Sequence, residues 1–409
     1  MKTNHDLLKR CLTTMMLVAI LALGQQIPIP GYDLTAASDA LAKFQFLKVF
    51  SYATGGALGA PTLMSLGLGP YMTALILWQA LSSLGIPAVD KLSMRTAGFI
   101  QNGITAVLAL VQGFEMLWLS RSALTPLYLP GGSYDFSFLV ALLILTAGAM
   151  LVVYLALYNA DHGIGSTVML ILPGLILNIP NMLQNGWGHS PYPLTPEHIA
   201  TACVVGVIVL LVAVPLNYGE IRFELQKPML ESAFSKPYLP LPFLTAGSMP
   251  FMFSTMVFTI PQTVVQATNL RFSKIGQGIL AWTDYLNWRG IITYGVILVL
   301  LGFVFGFVNF QPSKQAKTLK ESGDYIAGVM PGDDTEAFLT HHFLWLTVIG
   351  NSIIFVIALI PLVIGLYVKG VSNYTLLIGN LFIMITIIST VVQQFQALRL
   401  KNQYQLFDE

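Results

Sequence analysis

The residues that most often carry enzyme chemistry are few in this chain and stand apart. Its six histidines and two cysteines form no HExxH, CxxC or related spacing for a metal or a nucleophile. The adjacent pair His341 and His342 begins an apolar run, which favours an interfacial packing role over metal binding. Cys11 and Cys203 lie inside apolar runs, which predicts buried thiols and no disulfide framework. We therefore predict no catalytic residue, no resident metal and no cofactor.

Glu115 is the carboxylate that falls most clearly inside a long apolar run. A charged side chain within a membrane is costly and often marks an ion or substrate path. Glu115 lies near the end of its run and close to Arg121, which favours a snorkelling or ion-paired residue over an ion site. Because no second buried carboxylate accompanies it, an ion-coupled pump or symporter is disfavoured.

The most informative feature is an interrupted apolar stretch over residues 50–85. Glycine and proline break it twice, within residues 51–66 and again within residues 67–70. Irregular backbone at membrane depth is tolerated only where protein or a water-filled cavity surrounds it. The stretch therefore predicts a short half-helix followed by a full membrane helix, both lining something other than lipid.

The chain as a whole is predicted to consist of membrane-spanning helices. Hydrophobic residues make up 55% of the 409 residues, charged residues make up 10%, and the mean hydropathy is +0.71, whereas soluble domains carry about 25% charged residues. Ten runs have roughly the 20 apolar residues that a span needs. They are residues 12–29, 69–87, 97–119, 136–158, 166–184, 199–217, 244–265, 290–309, 343–367 and 373–395. The sequence predicts an all-α membrane protein with ten transmembrane helices.

The distribution of lysine and arginine predicts the orientation. With the N-terminus in the cytoplasm, 13 of the 20 Lys and Arg residues lie inside and 7 lie outside, as the positive-inside rule requires. We therefore expect a multi-pass protein of the cell membrane with both termini cytoplasmic and the first run retained. Five runs before about residue 190 and five after it predict a single membrane domain, residues 1–409. Its two halves, residues 1–190 and 191–409, would have inverted orientation.

A series of motifs, in order, resembles the SecY/Sec61 family of protein-conducting channels over nearly the whole chain. The motifs are IPIPG (27–31), the GGAL…SLGLGPYMTALI block (Gly55–Ile76), GIG (163–165), YLPLPFLTAGSMPFMFS (Tyr238–Ser254), NFQPSKQAKTLKESGDYIAGVMPGDDT (Asn309–Thr335) and YTLLIG (Tyr374–Gly379). The resemblance implies the central pore-forming subunit of a preprotein translocase, which passes unfolded secretory proteins across the cytoplasmic membrane. A path of apolar and small side chains suits such variable cargo, because it binds nothing strongly.

The resemblance implies that residues 51–66 form the plug, a short half-helix that closes the channel. The candidate plug residues are Tyr52, Gly55, Gly56, Leu58, Leu63 and Met64. Small residues suit a segment that must move, although a fixed re-entrant packing element would have a similar composition.

The resemblance also implies a pore ring contributed by four spans. Its positions map onto Leu68, Met72, Leu172, Ile176, Met252 and Ile378. An apolar constriction of this kind excludes water and ions when it is empty. Methionine at positions where relatives favour isoleucine predicts a softer and more adaptable ring.

The lateral gate of this family lies between the second and seventh spans, beside the third and eighth. Thr73, Met256 and Ile260 fall on the matching positions, and Gln101 adds a polar side chain early in the third span. Hydrogen bonding between helices explains Gln101 equally well.

Two long polar insertions, residues 218–243 and 311–340, correspond to the family's docking loops for the ribosome or the SecA motor. The candidate docking residues are Arg222, Lys227, Lys236, Lys317, Lys320 and Met330. The ionisable side chains balance to zero in the first loop and to −2 in the second, and Met330 stands where the family has an arginine. Ribosome docking needs cations to meet RNA phosphate. The pattern therefore resembles the accessory SecY of some Gram-positive bacteria.

That subfamily works with its own accessory SecA ATPase and exports dedicated substrates, typically serine-rich glycoprotein adhesins. The expected partners are an accessory SecA-type motor, a small SecE-like membrane subunit, the unfolded preprotein and the lipid bilayer, with no nucleic acid. Two alternatives stay open. An inverted-repeat secondary transporter of a small solute would need ion ligands at the midplane, and a membrane-protein insertase would be favoured by a missing plug.

Overall fold

The computed structural model describes residues 2–42, 55–56, 61–83, 89, 92–126, 135–185, 195–227, 237–267, 273–368 and 370–403. Ten long helices in these residues fall on the ten predicted membrane runs. They are α1 (Lys2–Gly24), α3 (Gly69–Ser83), α4 (Met94–Leu119), α5 (Ser137–His162), α6 (Leu172–Asn185), α7 (Pro196–Tyr218), α8 (Met249–Ala267), α10 (Trp288–Phe310), α12 (Asp333–Gly365) and α13 (Asn373–Gln403). The predicted all-α membrane class is therefore confirmed.

Shorter elements connect the long helices. They are the helices α2 (Leu34–Ala42), α9 (Lys274–Thr283) and α11 (Pro312–Ser322), the 3₁₀-helices Arg121–Ala123 and Thr167–Ile171, and the strands β1 (Glu220–Gln226), β2 (Tyr238–Pro242) and β3 (Tyr325–Ile326). Within the described part of the chain, eight helical segments are long and apolar enough to cross a membrane. Helices α3 and α8 complete the predicted set of ten, although α3 has only 15 residues.

The long helices expose apolar side chains, as membrane helices do where they face lipid. On α5, Leu139 and Leu143 are 55% and 57% exposed, whereas Leu145 is fully buried. The same exposure corrects the prediction made for the cysteines. Both Cys11 and Cys203 are exposed. The prediction of buried thiols was wrong because a residue in an apolar membrane helix can face outward as well as into the protein.

The described residues divide into two compact units. Unit 1 comprises Met1–Pro193 and Thr386–Glu409, and unit 2 comprises Leu194–Ile385. In unit 1, α4 packs against α3 and α5, and α1 packs against α5. In unit 2, α10 packs against α8 and α12. The last helix, α13, contributes its first residues to unit 2 and its last residues to unit 1.

Unit 2 also contains a small antiparallel sheet that the sequence analysis did not predict. Its strand order is β2-β1-β3, with Glu220 opposite Pro242 and Leu225 opposite Ile326. The two polar insertions are thereby joined, because β1 and β2 come from the first insertion and β3 comes from the second.

Candidate functional site

The residues that precede α3 form a series of turns seated on other helices of unit 1. The N–H of Leu63 donates to the carbonyl oxygen of Ile27 at 2.9 Å, and the N–H of Met64 donates to that of Gly24 at 3.3 Å. Residues 63–68 are turns, and these hydrogen bonds tie them to the chain that leaves α1. Of the other candidate plug residues, Tyr52 and Leu58 lie outside the described residues.

Glycines allow this segment to approach its neighbours closely. A Cβ added to Gly148 of α5 would lie 1.7 Å from the carbonyl oxygen of Leu63, and one added to Gly24 would lie 2.2 Å from Sδ of Met64. A side chain at position 148 would displace the backbone of the segment, and one at position 24 would displace the Met64 side chain. The contacts therefore fix the candidate plug residues Leu63 and Met64 against α1 and α5.

The two glycines Gly55 and Gly56 are buried and lie near α6. Gly55 has φ +65°, a left-handed conformation that glycine adopts without strain. A Cβ added to Gly174 would lie 2.0 Å from the carbonyl oxygen of Gly55, and one added to Gly55 would lie 2.5 Å from that of Ile171. The two segments can therefore cross this closely only because both Gly55 and Gly174 lack a side chain.

In unit 1, the four candidate ring residues form two pairs, each one helical turn apart. Leu68, the last residue before α3, and Met72, in the first turn of α3, are 2% and 3% exposed. On α6, Leu172 is half-buried and Ile176 is 48% exposed. Because residues four apart share one face of a helix, each pair presents a continuous apolar strip.

In unit 2, the candidate ring residues Met252 and Ile378 are both buried. Their helices, α8 and α13, are in contact beside them. Phe251 and Phe382 stack with ring centroids 5.0 Å apart, and a Cβ added to Gly379 would lie 3.2 Å from Phe251. The immediate neighbours of the two candidates thus set the spacing between α8 and α13.

Among the candidate gate residues, Gln101 has an identifiable contact. The side chains of Gln101 on α4 and of Thr167 both hydrogen-bond to the side chain of Tyr71 on α3. Thr73 donates to the carbonyl oxygen of Gly69 in its own helix at 3.0 Å. Met256 and Ile260 lie on α8, and their side chains are outside the described set. Tyr71 was not among the predicted site residues, although its position between two candidate ring residues was a signal.

The two polar insertions form one compact structure in unit 2, which we call the loop platform: β1, β2, β3, α11 and the first turns of α12. Its buried core is Leu225, Leu241, Phe310, Ala316, Leu319, Ile326, Leu339, Phe343 and Leu346. Phe310 and Phe343 stack with an interplanar angle of 4° and centroids 5.6 Å apart. The platform therefore has a hydrophobic core of its own.

Several candidate docking residues are engaged within the platform. Nε of Arg222 donates to Glu220 at 2.7 Å, and its guanidinium lies 4.6 Å from the ring centroid of Tyr238. The hydrogen bond to Glu220 is the main reason that the pKa of Arg222 is raised. Nζ of Lys227 lies 3.5 Å from the carboxylate of Asp324.

The other candidate docking residues are more exposed, except Lys236, which lies outside the described residues. Nζ of Lys317 is 4.0 Å from Glu321 on the same helix, and both side chains are largely exposed. Lys320 is also exposed. Met330 is 74% exposed, and its carbonyl oxygen accepts a hydrogen bond from Thr335 at 2.7 Å. The backbone at Met330 is therefore fixed while its side chain projects outward.

A buried polar network organises the GIG motif at 163–165 in unit 1. The Asn159 amide donates to the carbonyl oxygens of Ile164 at 3.2 Å and Ser166 at 2.7 Å. Thr14 donates to Asn159 at 2.7 Å and accepts from the N–H of Ile164 at 2.8 Å. The N–H of Gly165 donates to Gln394 at 2.8 Å. Since Asn159 is fully buried, α1, α5 and α13 hold this loop in place together.

The histidines and charged residues considered at the outset as possible catalytic or metal-binding groups have packing roles. Among the residues that the structure describes, no group of His, Cys, Asp and Glu could hold a metal ion. His342 packs against Phe338 and Phe223 with centroid distances of 4.2 and 5.2 Å. Arg121 lies 5.5 Å from the ring centroid of Trp118 and makes no ion pair with Glu115.

The fold and these sites define a multi-pass membrane protein in which a glycine-rich broken segment precedes the second long helix. The chain belongs to the SecY family, because the family model described as SecY matches residues 62–392. This membership confirms the resemblance to the family found in the sequence.

Individual relatives agree with the family assignment. The chain is 28% identical to "Accessory Sec system protein translocase subunit SecY2" of Leuconostoc gelidum subsp. gasicomitatum, over 98% of this chain and 96% of the relative. It is also 28% identical to "Protein translocase subunit SecY" of Mycoplasma capricolum, over 96% of this chain and 87% of the relative. A solved structure entitled "The structure of a protein conducting channel" matches with a TM-score of 0.62 at 17% identity, over 98% of this chain and 95% of the other. At that identity the match supports the fold.

Proposed function

We propose that this chain is the central pore-forming subunit of a preprotein translocase and conducts unfolded polypeptides across the cytoplasmic membrane. The observation that carries the proposal is the near full-length match to relatives named as translocase subunits. The apolar character of the six ring candidates adds support, because such side chains offer no fixed hydrogen-bond partner to a passing chain. We place both termini and the loop platform in the cytoplasm, as the distribution of Lys and Arg favours.

The proposed constriction is the ring of Leu68, Met72, Leu172, Ile176, Met252 and Ile378. Its test is ion leakage through the purified chain in planar bilayers. The variant with Met72→Ser and Ile378→Ser is expected to leak, because hydroxyl groups lower the cost of wetting an apolar constriction. The matched control is Met182→Ser with Leu376→Ser, which makes two equally buried positions polar outside the ring. A ring variant as tight as the control would overturn the assignment.

The conduit role itself is tested with a stalled export substrate. Photo-crosslinkers placed in the translocating segment are expected to label Met72, Leu172, Met252 and Ile378 and to spare the exposed Leu139 on α5. Uniform labelling of exposed apolar residues would contradict passage through the ring. Residues 51–66 are proposed as the plug, and Thr73, Gln101, Met256 and Ile260 as gate positions.

We further propose that the loop platform receives an accessory SecA-type motor, with a SecE-like subunit completing the channel. The support is the accessory relatives, together with the near-neutral charge of the platform and the projecting Met330. Dedicated serine-rich glycoprotein adhesins are the proposed cargo.

The test of the motor assignment is co-purification of the full chain with each motor type. We expect retention of the accessory motor, weakened by Met330→Glu and unaffected by Gln277→Glu, a change at an exposed position on α9 outside the platform. Exclusive retention of the housekeeping motor would overturn the proposal.

A further inference from the structure

Helix α9 is a short amphipathic helix that packs against α8 and α10 in unit 2. Its inward residues, Gly276 and Thr283, are buried. The adjoining face carries Ile275, which is 71% exposed, and Trp282, which is 53% exposed. These two residues are seven positions apart and therefore share one face of the helix. The exposed strip is apolar over the full length of α9.

The turn between α9 and α10 fixes the direction of this strip. The Asp284 carboxylate accepts from the N–H of Leu286 at 3.0 Å and from the side chain of Asn287 at 2.9 Å. A Cβ added to Gly290 would lie 2.0 Å from the carbonyl oxygen of Asp284, so the turn sits directly on α10. Burial of Tyr285 within this turn raises the pKa of its hydroxyl. The turn is therefore rigid, and α9 is set at a defined angle to α10.

The length of α10 places α9 at a membrane surface. Its 23 residues span about 34 Å at 1.5 Å per residue, slightly more than the roughly 30 Å hydrocarbon core. One end of α10, at Phe310, lies in the core of the loop platform, which the orientation proposed above places in the cytoplasm. Its other end, at Trp288, therefore reaches the opposite interface. Four residues, 284–287, connect α9 to that end.

The residues around the strip have the composition of an interfacial anchor. Leu286 and Trp288 are 43% and 54% exposed and extend the apolar surface from Trp282. Lys274 and Arg289, one at each end, are exposed as well. Tryptophan is enriched at membrane interfaces, and cations beside an apolar strip attract anionic headgroups.

We propose that α9 lies in the headgroup layer of the bilayer, with Ile275 and Trp282 inserted among lipid chains and Lys274 and Arg289 binding anionic headgroups. The occupant of this face is the bilayer, because the strip is continuous with the membrane surface reached by α10. The interaction anchors the end of α8 and the start of α10 to the interface. It does not depend on what the channel conducts.

The test uses the full chain in nanodiscs with Cys11 and Cys203 replaced by serine. An environment-sensitive dye is attached to Ile275→Cys or, as the control, to Gln277→Cys, which is also exposed but lies away from the strip. Lipid-borne nitroxide is expected to quench the dye at residue 275 several-fold more than at residue 277, and aqueous iodide is expected to show the reverse order. Equal quenching at both positions would overturn the proposal. So would shielding of residue 275 from both quenchers, which would indicate a protein cover.

The headgroup preference is tested separately with anionic and zwitterionic nitroxide lipids. The dye at residue 275 is expected to be quenched more by the anionic lipid. Lys274→Gln and Arg289→Gln should each reduce that preference, by about fivefold for a cation worth about 1 kcal/mol. A preference that both substitutions leave unchanged would overturn the role of the cations.

Discussion

The two units of this protein fix their functional loops in different ways. Unit 1 holds the GIG loop with directional hydrogen bonds from Asn159 and Thr14. Unit 2 holds its loop platform with an apolar core around Phe343. A loop at the end of a membrane helix can therefore be stabilised either by hydrogen bonds to its buried backbone or by a small hydrophobic core.

The difference follows from the length of the loops. The GIG loop is short and buries one apolar side chain of its own, Ile164. Its buried carbonyl and N–H groups therefore need partners, and each one left unsatisfied costs about 1–3 kcal/mol. The two polar insertions of unit 2 are long enough to pair as strands and to bury their own side chains. The platform is therefore a self-contained surface, whereas the GIG loop depends on three helices.

The largest effect is expected for Phe343→Ala in the loop platform. Phe343 is fully buried and stacks on Phe310, and truncation of a buried phenylalanine costs about 3–5 kcal/mol of unfolding free energy. The measurement is denaturant-induced unfolding of the purified chain, with protease sensitivity of residues 220–242 as the local readout. Phe99→Ala on α4 is the control, because Phe99 is 66% exposed and should cost far less. Equal costs would show that the platform does not depend on its core.

The matching change in unit 1 is Asn159→Ala. It leaves the carbonyl oxygens of Ile164 and Ser166 without their amide donor, and we expect a loss of about 2–3 kcal/mol in unfolding free energy. Hydrogen exchange at the N–H of Ile164 and Gly165 should rise at the same time. Thr146→Ala is the control, since Thr146 bonds only within its own helix at 2.8 Å. A loss no larger than that of the control would remove the distinction between the two units.

A gain in stability is expected for Ser166→Gly. Ser166 has φ 58° and ψ −159°, a region that is open essentially to glycine and costs other residues about 1–3 kcal/mol. Glycine removes this strain but also raises the entropy of the unfolded chain. We therefore expect a net gain of about 1 kcal/mol in unfolding free energy. The midpoint of thermal unfolding measures the change. Ser166→Ala keeps the strain and should bring no gain; a similar gain in both variants would show that the side chain, not the backbone, is the cause.

Hydropathy predicted the membrane part of the fold but not the parts outside it. Helix α12 begins at Asp333, ten residues before its predicted apolar run, because Asp333 and Asp334 suit a helix N-terminus while lowering the hydropathy. Strand β1 was missed even though Ile221, Phe223 and Leu225 alternate with polar residues, which is the pattern of a strand.

The sites were predicted unevenly for similar reasons. The resemblance supplied the ring, plug and gate positions, and these stay predictions. The contact between Thr14 and Asn159 joins residues 145 positions apart, so no local pattern indicates it. The close approach of Gly148 to Leu63 likewise results from helix packing, which cannot be predicted from a single sequence.

The smallest effect is expected for the ion pair between Lys227 and Asp324. Their side chains are 35% and 17% exposed and their charged atoms are 3.5 Å apart, so solvent screens much of the attraction, and pairs near the surface contribute about 0–1 kcal/mol. A double-mutant cycle with Lys227→Met and Asp324→Asn should give a coupling free energy of about 0.5 kcal/mol that falls in high salt. Arg222→Met, at a more exposed pair with Glu220, serves as the control and should change less. A coupling as large as the cost of Phe343→Ala would mean that the platform is held by charge, and the contrast between the two units would have to be drawn differently.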